Sequence, residues 1–299
     1  MDAEGRILAA SKFLLQAPPG EINDVLNDVR NIVSDDDVLQ SGVLPALREY
    51  NLAQFITADV PGHQHQCIVS EAARLKPTEE VEGEEEEGDR FWDPRSRTSF
   101  RFDHLSLEAS DPQSIEPEGE SEPFRAALET ATVAYLAAHF QSGVASVFSV
   151  AGNADQFIIQ VVANKYNPAN FWSGRWRSEY TVDLAERTLS GKILLNVHYY
   201  EQGNVQLETN HTISLALPPT ITAESAAPSA PKVLALIETE EGKYQESLGD
   251  TYQEMGEKTF KGLRRALPMT RSKLDWDKVL GYKLGAELSS NKGGFAGAS

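Results

Sequence analysis

The chain has 299 residues, of which 40% are hydrophobic and 8% aromatic, so it can bury a sizeable core as one large domain or two small ones. Its 27 Lys and Arg against 45 Asp and Glu give a net charge of −18, which argues against nucleic acid as the main partner. The single cysteine, Cys67, excludes an internal disulfide and indicates a reducing compartment. Without a visible secretory signal or a run of about 18 apolar residues, we expect a soluble, intracellular protein with no transmembrane segment.

Residues 1–52 are predicted to form three short helices that stack antiparallel as a helical stalk. Apolar residues recur there at helical spacing, and Ala17-Pro18-Pro19-Gly20 separates the first two helices. The third helix is predicted to end near Asn51. The recurring apolar positions are Ile7, Leu8, Phe13, Leu14, Ile22, Val25, Leu26, Val29, Val33, Val43, Leu44 and Leu47.

Residues 53–123 are predicted to be a small β region with short strands at Gln54–Val60, Cys67–Ser70 and Thr98–Phe102. The acidic run Glu79–Gly88 indicates a solvated loop, because so dense a negative charge cannot pack. A lure for a basic partner is the alternative for this run. Residues 110–123 are predicted to be a second polar loop.

Residues 124–267 are predicted to contain a helix, an antiparallel sheet and a long helix. The helix covers Phe124–Phe140, and the pattern then changes to a period of two, typical of strands. Five strands joined by short turns predict a meander with one covered face. The predicted strands are Val144–Val150, Gln156–Val162, Phe171–Leu184, Lys192–Tyr200 and Asn204–Leu217.

One predicted strand alternates between aromatic and charged residues. Trp172, Trp176 and Tyr180 fall on one face, and Arg175, Arg177 and Glu179 on the other. This pattern favours sheet packing over the alternative of single-stranded nucleic acid binding.

A long helix is predicted to follow the sheet, with Pro228 and Pro231 at its start and Pro268 at its end. Its apolar stripe would lie across the sheet, giving an α+β fold class. The stripe consists of Ile237, Tyr244, Leu248, Tyr252 and Met255, with a continuation at Phe260, Leu263 and Leu267.

The end of the chain reverses the charge of everything before it. Between Lys258 and Lys292 nine Lys or Arg face three acids, a local charge of +6, whereas the remainder carries −24. An acidic protein repels other acidic surfaces, so a basic segment must make any contact with one. The basic residues are Lys258, Lys261, Arg264, Arg265, Arg271, Lys273, Lys278, Lys283 and Lys292.

Residues 268–299 are predicted to form an amphipathic tail. An apolar series from Trp276 has basic residues beside it, so the pattern indicates a basic helix too short to be stable alone in water. Three interpretations remain open: packing on the protein's own core, binding in a groove of a partner protein, and adsorption to an anionic membrane. The apolar residues are Leu274, Trp276, Val279, Leu280, Leu284 and Leu288.

Catalytic and metal-binding signatures are absent, and we expect no enzyme activity, no cofactor and no metal. The sequence lacks a Walker A loop, a G-x-S-x-G motif and an H-E-x-x-H motif. His63 and His65 form an H-x-H without a paired Cys or third His nearby, which favours a surface loop. His198 is predicted to be packed or hydrogen-bonded within a strand, and Cys67 to be a buried thiol.

Two segments resemble signatures of the alpha subunit family of the heterodimeric F-actin capping protein. They are Val197–Val205, with Gln202 where the family has Asp, and Phe260–Pro268, with Gly262 where it usually has Ala or Glu. Further similarities lie in order along nearly the whole chain: Ala17–Glu21, Phe100–Leu105, Phe171–Glu179 and Asp275-Trp276.

The resemblance implies an obligate heterodimer with a beta subunit, in which the two sheets join and the N-terminal helices form a stalk. Such a dimer binds the barbed, fast-growing end of the actin filament independently of Ca²⁺ and blocks subunit gain and loss without severing. It also implies a cytoplasmic location in the actin cytoskeleton, at the cell cortex or in actin patches. The alternative from the residues is a peripheral phosphoinositide- or membrane-binding scaffold that uses the same tail.

The resemblance also implies which residues bind actin. In the family, basic residues of the alpha C-terminus carry much of the binding, and by motif position they are Lys261, Arg265 and Arg271. Lys261 and Arg265 are further implied in inhibition by phosphoinositides. With the neighbouring basic and apolar tail residues, the predicted actin contacts are Lys261, Arg264, Arg265, Arg271, Lys273, Trp276, Lys278, Val279, Leu280, Lys283 and Leu284.

Overall fold

A computed structural model describes residues 3–33, 42–75, 89–116, 119–201, 205–254 and 256. The chain divides into two compact units, residues 1–244 and 245–299. Of the second unit, the described part is essentially the end of one long helix.

The described residues of the N-terminal part contain three α-helices where three were predicted: α1 (Ala3–Leu15), α2 (Ile22–Val33) and α3 (Leu44–Ala53). Their buried apolar residues form one shared core, and on α1 Leu8 and Phe13 remain exposed. Their antiparallel arrangement as a stalk stays a prediction. The shared core contains Ala10, Leu14, Ala17, Ile22, Leu26, Val29, Val33, Val43, Leu47 and Tyr50.

The break between α1 and α2 depends on Gly20. Its φ of +85° lies in the left-handed region, which favours glycine. A Cβ at this position would lie 3.4 Å from the ring of Tyr166. The predicted break at Ala17-Pro18-Pro19-Gly20 is confirmed, because α1 ends at Leu15 and α2 begins at Ile22.

Two small sheets follow. Strands β1 (Ile56–Ala58) and β2 (Cys67–Val69) pair antiparallel, and β3 (Asp89–Asp93), β4 (Thr98–Phe102) and β5 (Ala109–Ser114) form a three-stranded sheet. They share a core that includes Cys67, Phe91, Phe100 and Phe102. The predicted acidic loop Glu79–Gly88 lies outside the described residues.

The prediction of a polar loop over 110–123 was wrong at both ends, because β5 continues to Ser114 and the next helix begins at Glu122. Every residue of β5 after Ala109 is exposed, and the strand contains Pro112. Its sequence therefore shows no alternation of apolar and polar residues. It exists because its backbone pairs with β4 at the edge of the sheet. Strand β3 was not predicted either.

The main sheet is the predicted antiparallel meander, in the order β10-β9-β8-β7-β6. Its five strands are joined in chain order, so each lies beside the next. The strands are β6 (Val144–Val150), β7 (Asn153–Asn167), β8 (Trp172–Asp183), β9 (Thr188–Tyr199) and β10 (Val205–Ala216).

Helix α4 (Glu122–His139) precedes the sheet and α5 (Ala226–Glu254) follows it, as predicted. Both contact the apolar sheet face: Phe124 packs on Phe157, and Tyr244 packs on Trp176. The predicted stripe on α5 was partly wrong, because the buried residues of the helix lie between Ser229 and Tyr244 and Tyr252 is 51% exposed. Met255 and the continuation to Leu267 lie outside the described residues.

The prediction of one covered face was also wrong, because the charged face of β8 is buried too. Arg175 and Arg177 are only 5% and 3% exposed. They lie under residues of α3 and its C-terminal end, which the period-two pattern could not reveal. Within the described part of the chain, no helix is both long and apolar enough to cross a membrane.

Candidate functional site

The predicted actin-binding residues lie outside the described residues. This holds for the basic segment and for the tail that follows it. The structure therefore describes the part of the chain that precedes this segment, and the roles of the segment's residues stay predictions. The residues concerned are Lys261, Arg264, Arg265, Arg271, Lys273, Trp276, Lys278, Val279, Leu280, Lys283 and Leu284.

Two of the segments that resemble the family, here called signature segments, meet at one end of the sheet: Ala17–Glu21 and Val197–Val205. Glu21 precedes α2, and its Oε1 lies 2.9 Å from Nδ1 of the buried His198 on β9. The same β9 end pairs with β8, where Tyr199 lies opposite Trp172. His198 is thus a hydrogen-bonded strand residue, as predicted, and it links the N-terminal helices to the sheet.

The third signature segment supplies two buried arginines to the same face. Arg175 donates to the Tyr50 hydroxyl at 2.7 Å, and its guanidinium lies 5.5 Å from the centre of that ring. Arg177 donates to the backbone carbonyl of Gln54 and, at 3.1 Å, to that of Ala163. We call Glu21, Tyr50, Arg175, Arg177 and His198 the polar network.

Arg177 illustrates the electrostatic cost of this network. Burial, followed by the nearby charge of Arg175, lowers the pKa of Arg177 to about 9. The guanidinium still carries its charge at neutral pH. It donates hydrogen bonds to backbone carbonyls and, at 2.9 Å, to the side-chain oxygen of Asn164. A buried cation satisfied in this way is suited to fixing two elements together, not to binding a soluble ligand.

The long helix is held on the opposite face by a buried carboxylate. Tyr135 of α4 and Tyr180 of β8 each donate a hydrogen bond to Glu241 of α5. Burial raises the pKa of Glu241, and the two hydroxyls oppose that shift without cancelling it. Tyr244 adds a 2.7 Å hydrogen bond to Thr209 and stacks on His211 of β10.

One edge of the sheet is long and open. Strand β10 pairs with β9 on one side, and its other side has no strand partner within the described ranges. Its sequence, Val205–Ala216, contains neither Pro nor Lys, the residues that commonly protect an edge, and Val205 is 63% exposed. Such an edge is suited to pairing with a strand of another chain.

A separate cluster was missed by the sequence analysis. His65 Nε2 lies 2.9 Å from Asp93 Oδ2, and the buried thiol of Cys67 lies beside both. The sequence analysis noted that His63 and His65 have no paired Cys or third His nearby, and the structure places Cys67 and Asp93 beside His65. Asp93 ends β3, the strand that the sequence analysis did not find, and no sequence signal placed it next to β2.

The fold and the polar network define an α+β protein with a helix-flanked antiparallel meander, in which the buried polar residues join elements of the chain. A computed comparison with solved structures agrees on the fold. The homodimeric actin capping protein alpha subunit from Plasmodium berghei matches with a TM-score of 0.64 at 14% identity, covering 82% of this chain and 91% of that one.

Sequence comparison gives the family. The profile of the F-actin capping protein alpha subunit matches residues 10–287. The F-actin-capping protein subunit alpha of Neurospora crassa is 38% identical over 93% of this chain and 94% of its own. That of Caenorhabditis elegans is 36% identical over 96% of this chain and 98% of its own. The chain belongs to the F-actin capping protein alpha subunit family.

Proposed function

We propose that this chain is the alpha subunit of a heterodimeric capping protein that binds the barbed ends of actin filaments. It blocks subunit addition and loss there independently of Ca²⁺, and it does not sever the filament. The observation that carries the proposal is the family match across residues 10–287, together with relatives named as F-actin-capping alpha subunits over nearly their full lengths. The function is binding, so it requires no catalytic group.

The proposed partner is a capping protein beta subunit. The open edge of β10 supports an obligate dimer, because a twelve-residue edge strand leaves a row of backbone donors and acceptors that another strand can satisfy. The exposed apolar side chains of α1 support a further contact through a stalk of residues 1–52. The Plasmodium berghei protein is described as homodimeric, so partner identity needs its own measurement.

The proposed actin contact is the basic C-terminal segment, with residues 268–299 as its tentacle. Actin is acidic, and a body of charge −24 needs the +6 segment to approach it. Arg265 and Arg271 can bind carboxylates through two parallel hydrogen bonds, and Trp276 is the proposed apolar anchor. Phosphoinositides are proposed as inhibitors that compete for Lys261 and Arg265.

The division of the chain follows the same proposal. Residues 1–52 form the stalk, 53–123 a small β region with the acidic loop, 124–267 the sheet with its two helices, and 268–299 the tentacle. We place the protein in the cytoplasm with the actin cytoskeleton, at the cell cortex or in actin patches.

Elongation of pyrene-labelled actin from filament seeds tests the function. The full-length chain, co-expressed with a beta subunit, is expected to stop barbed-end growth equally in Ca²⁺ and in EGTA. Filament number should not rise, because the dimer does not sever. Normal growth in the presence of an intact dimer would contradict the proposal, and a stable homodimer that caps alone would overturn the heterodimer.

Three substitutions test the contact residues. The combined variant Lys261→Ala, Arg265→Ala and Arg271→Ala is expected to weaken capping, mainly by faster dissociation, because it removes charge pairs at the interface. The matched control removes the same charge from exposed body positions through Lys192→Ala, Lys232→Ala and Lys243→Ala. Equal losses in the two variants would show that only net charge matters.

A further inference from the structure

Three side chains with metal-binding atoms converge in the small β region. They are His65 in the connection between β1 and β2, Cys67 at the start of β2, and Asp93 at the end of β3. One ligand atom from each lies within 4.8 Å of the other two. No residue of the polar network or of the proposed actin contact takes part.

The cluster is built into the fold, not spread over its surface. Cys67 and Asp93 are 0% and 1% exposed, and the side chain of His65 is 24% exposed, so the ring forms the solvent side of the group. Asp93 is oriented by hydrogen bonds to Oδ2 from the backbone and hydroxyl of Ser96 at 2.9 and 2.6 Å. The hydroxyl of Ser146 on β6 donates to its other oxygen at 3.2 Å.

These donors suit one metal in particular. An imidazole nitrogen, a thiolate sulfur and a carboxylate oxygen are the ligands of zinc, and thiolate disfavours magnesium and calcium. Zinc bonds of about 2.0–2.3 Å place tetrahedral donors roughly 3.5 Å apart, and the three ligand atoms of the cluster, all within 4.8 Å of one another, need at most a shift of about 1.3 Å to reach that spacing. Thiolate and carboxylate together supply two negative charges against the dication.

We propose that His65, Cys67 and Asp93 bind one zinc ion, with a water molecule as the fourth ligand on the side of His65. The ion takes the place of the His65–Asp93 hydrogen bond. The thiol gives its proton to solvent as the sulfur binds, while Ser96 and Ser146 keep the carboxylate oriented. The site ties the β1–β2 connection to the turn between β3 and β4, which is a structural role.

Burial raises the pKa of Cys67, with a further contribution from Asp93. The metal-free thiol is therefore protonated at neutral pH, and a bound dication reverses this preference. The hydrogen bonds to Asp93 outweigh its burial and lower the pKa of Asp93 to about 2, so the carboxylate is already ionised.

The test is a titration of the full-length chain, without a polyhistidine tag and stripped with EDTA, using Co²⁺ as the probe and Zn²⁺ as the competitor. We expect one Co²⁺ per chain, a near-ultraviolet thiolate-to-cobalt charge-transfer band, and loss of that band on addition of Zn²⁺. If the chain purifies only with a partner subunit, the difference between wild type and variants reports this site. Zinc should also raise the unfolding midpoint of the wild type.

Matched variants locate the site. His65→Asn should weaken Co²⁺ binding by at least about 100-fold, since even the loss of outer residues costs about 10–100-fold. His63→Asn, in the same loop but outside the cluster, should leave it unchanged. Cys67→Ser should abolish the charge-transfer band. Circular dichroism checks each fold, and His65→Asn keeps the test decisive if Cys67→Ser misfolds.

Three results would overturn the site. They are a wild type without the charge-transfer band, a band that persists in His65→Asn, and equal weakening by His63→Asn and His65→Asn. The last would indicate adsorption to the loop. Barbed-end capping is measured separately, so either proposal can fail while the other holds.

Discussion

The two faces of the main sheet are both covered, but by different physics. The apolar face carries Phe157, Ile159 and Ile193 under α4 and α5, and its apolar side chains make van der Waals contacts, with the hydrogen bonds of Tyr135 and Tyr180 to Glu241 as a polar exception. The opposite face is covered by the N-terminal helices and the small β region. Its buried strand residues are polar or charged and include Arg175, Arg177, Gln160 and His198.

The difference shows that the two faces of one sheet can be buried by different kinds of contact, apolar packing on one face and hydrogen-bonded polar groups on the other. Apolar packing tolerates adjustment, because its energy is roughly proportional to buried area. A buried polar group has no such latitude, since it costs free energy unless every donor and acceptor finds a partner. We therefore expect the polar face to fix where the N-terminal helices sit, and the apolar face to supply most of the stability.

The largest loss of stability is expected on the apolar face. Phe157→Ala removes a fully buried ring whose centre lies 5.0 Å from that of Phe124. The free energy of unfolding should fall by about 3–5 kcal/mol, the usual cost of truncating a buried Phe. Urea unfolding measures it, with the exposed Val205→Ala as the control, for which we expect less than about 0.5 kcal/mol. Equal losses would mean that this face is not the main core.

A smaller loss is expected from the polar face. Arg177→Met keeps much of the side-chain volume but leaves the carbonyls of Gln54 and Ala163 without their donor. Relief from burying a cation offsets part of this, so we expect a loss of about 2 kcal/mol. Arg175→Met removes a bond to one hydroxyl and should cost less. The reverse order would contradict the role given to the backbone carbonyls.

The buried Glu241 should make the free energy of unfolding depend on pH. Its pKa is raised in the folded protein, so between the unfolded pKa of about 4.3 and the higher folded pKa the folded state holds more protons than the unfolded state. Its contribution to stability therefore falls as the pH rises through this range. Glu241→Gln should remove the effect and gain stability relative to wild type between acidic and neutral pH. Parallel pH profiles from urea titrations would refute it.

The smallest effect is expected at the contact between Glu21 and His198. Glu21→Ala removes the 2.9 Å hydrogen bond to the imidazole, at a cost of about 1 kcal/mol because Glu21 is partly exposed. Glu21→Gln retains an acceptor oxygen and should cost less than half as much. Thermal unfolding of the two variants side by side measures the difference, and identical midpoints would remove this contact from the polar network.

Elements with strong periodicity could be predicted from the sequence, and their contacts could not. Helix α4 and strands β6, β8 and β10 begin and end within two residues of the predicted bounds, because a period of 3.6 or 2 is local information, whereas β9 begins four residues before the predicted Lys192. Strand β5 was missed because its polar residues face solvent and only backbone pairing holds it. On α5 the predicted stripe is right at Ile237 and Tyr244 and wrong at the exposed Tyr252, and it missed Glu241, which is buried by two tyrosines that the sequence does not place beside it.

The contacts of the buried charged residues could not be predicted without knowledge of the fold. Arg175 and Tyr50 are 125 residues apart, and His65 and Asp93 are 28 apart across the missed strand β3. Neither spacing is a signal on its own. Conversely, the charge reversal near Lys258 is visible only as a sequence property, and the actin-binding roles of that segment remain predictions.

Removal of the segment behind Leu267 tests the central claim most directly. The full-length and truncated chains are each purified with a beta subunit, shown to be intact dimers of equal helix content, and compared in pyrene-actin elongation from filament seeds. We expect the full-length dimer to stop barbed-end growth and the truncated dimer to lose most of that activity, because the apolar anchor Trp276 and five of the nine basic residues, Arg271 among them, lie in the removed part. Equal inhibition by both dimers would contradict the account.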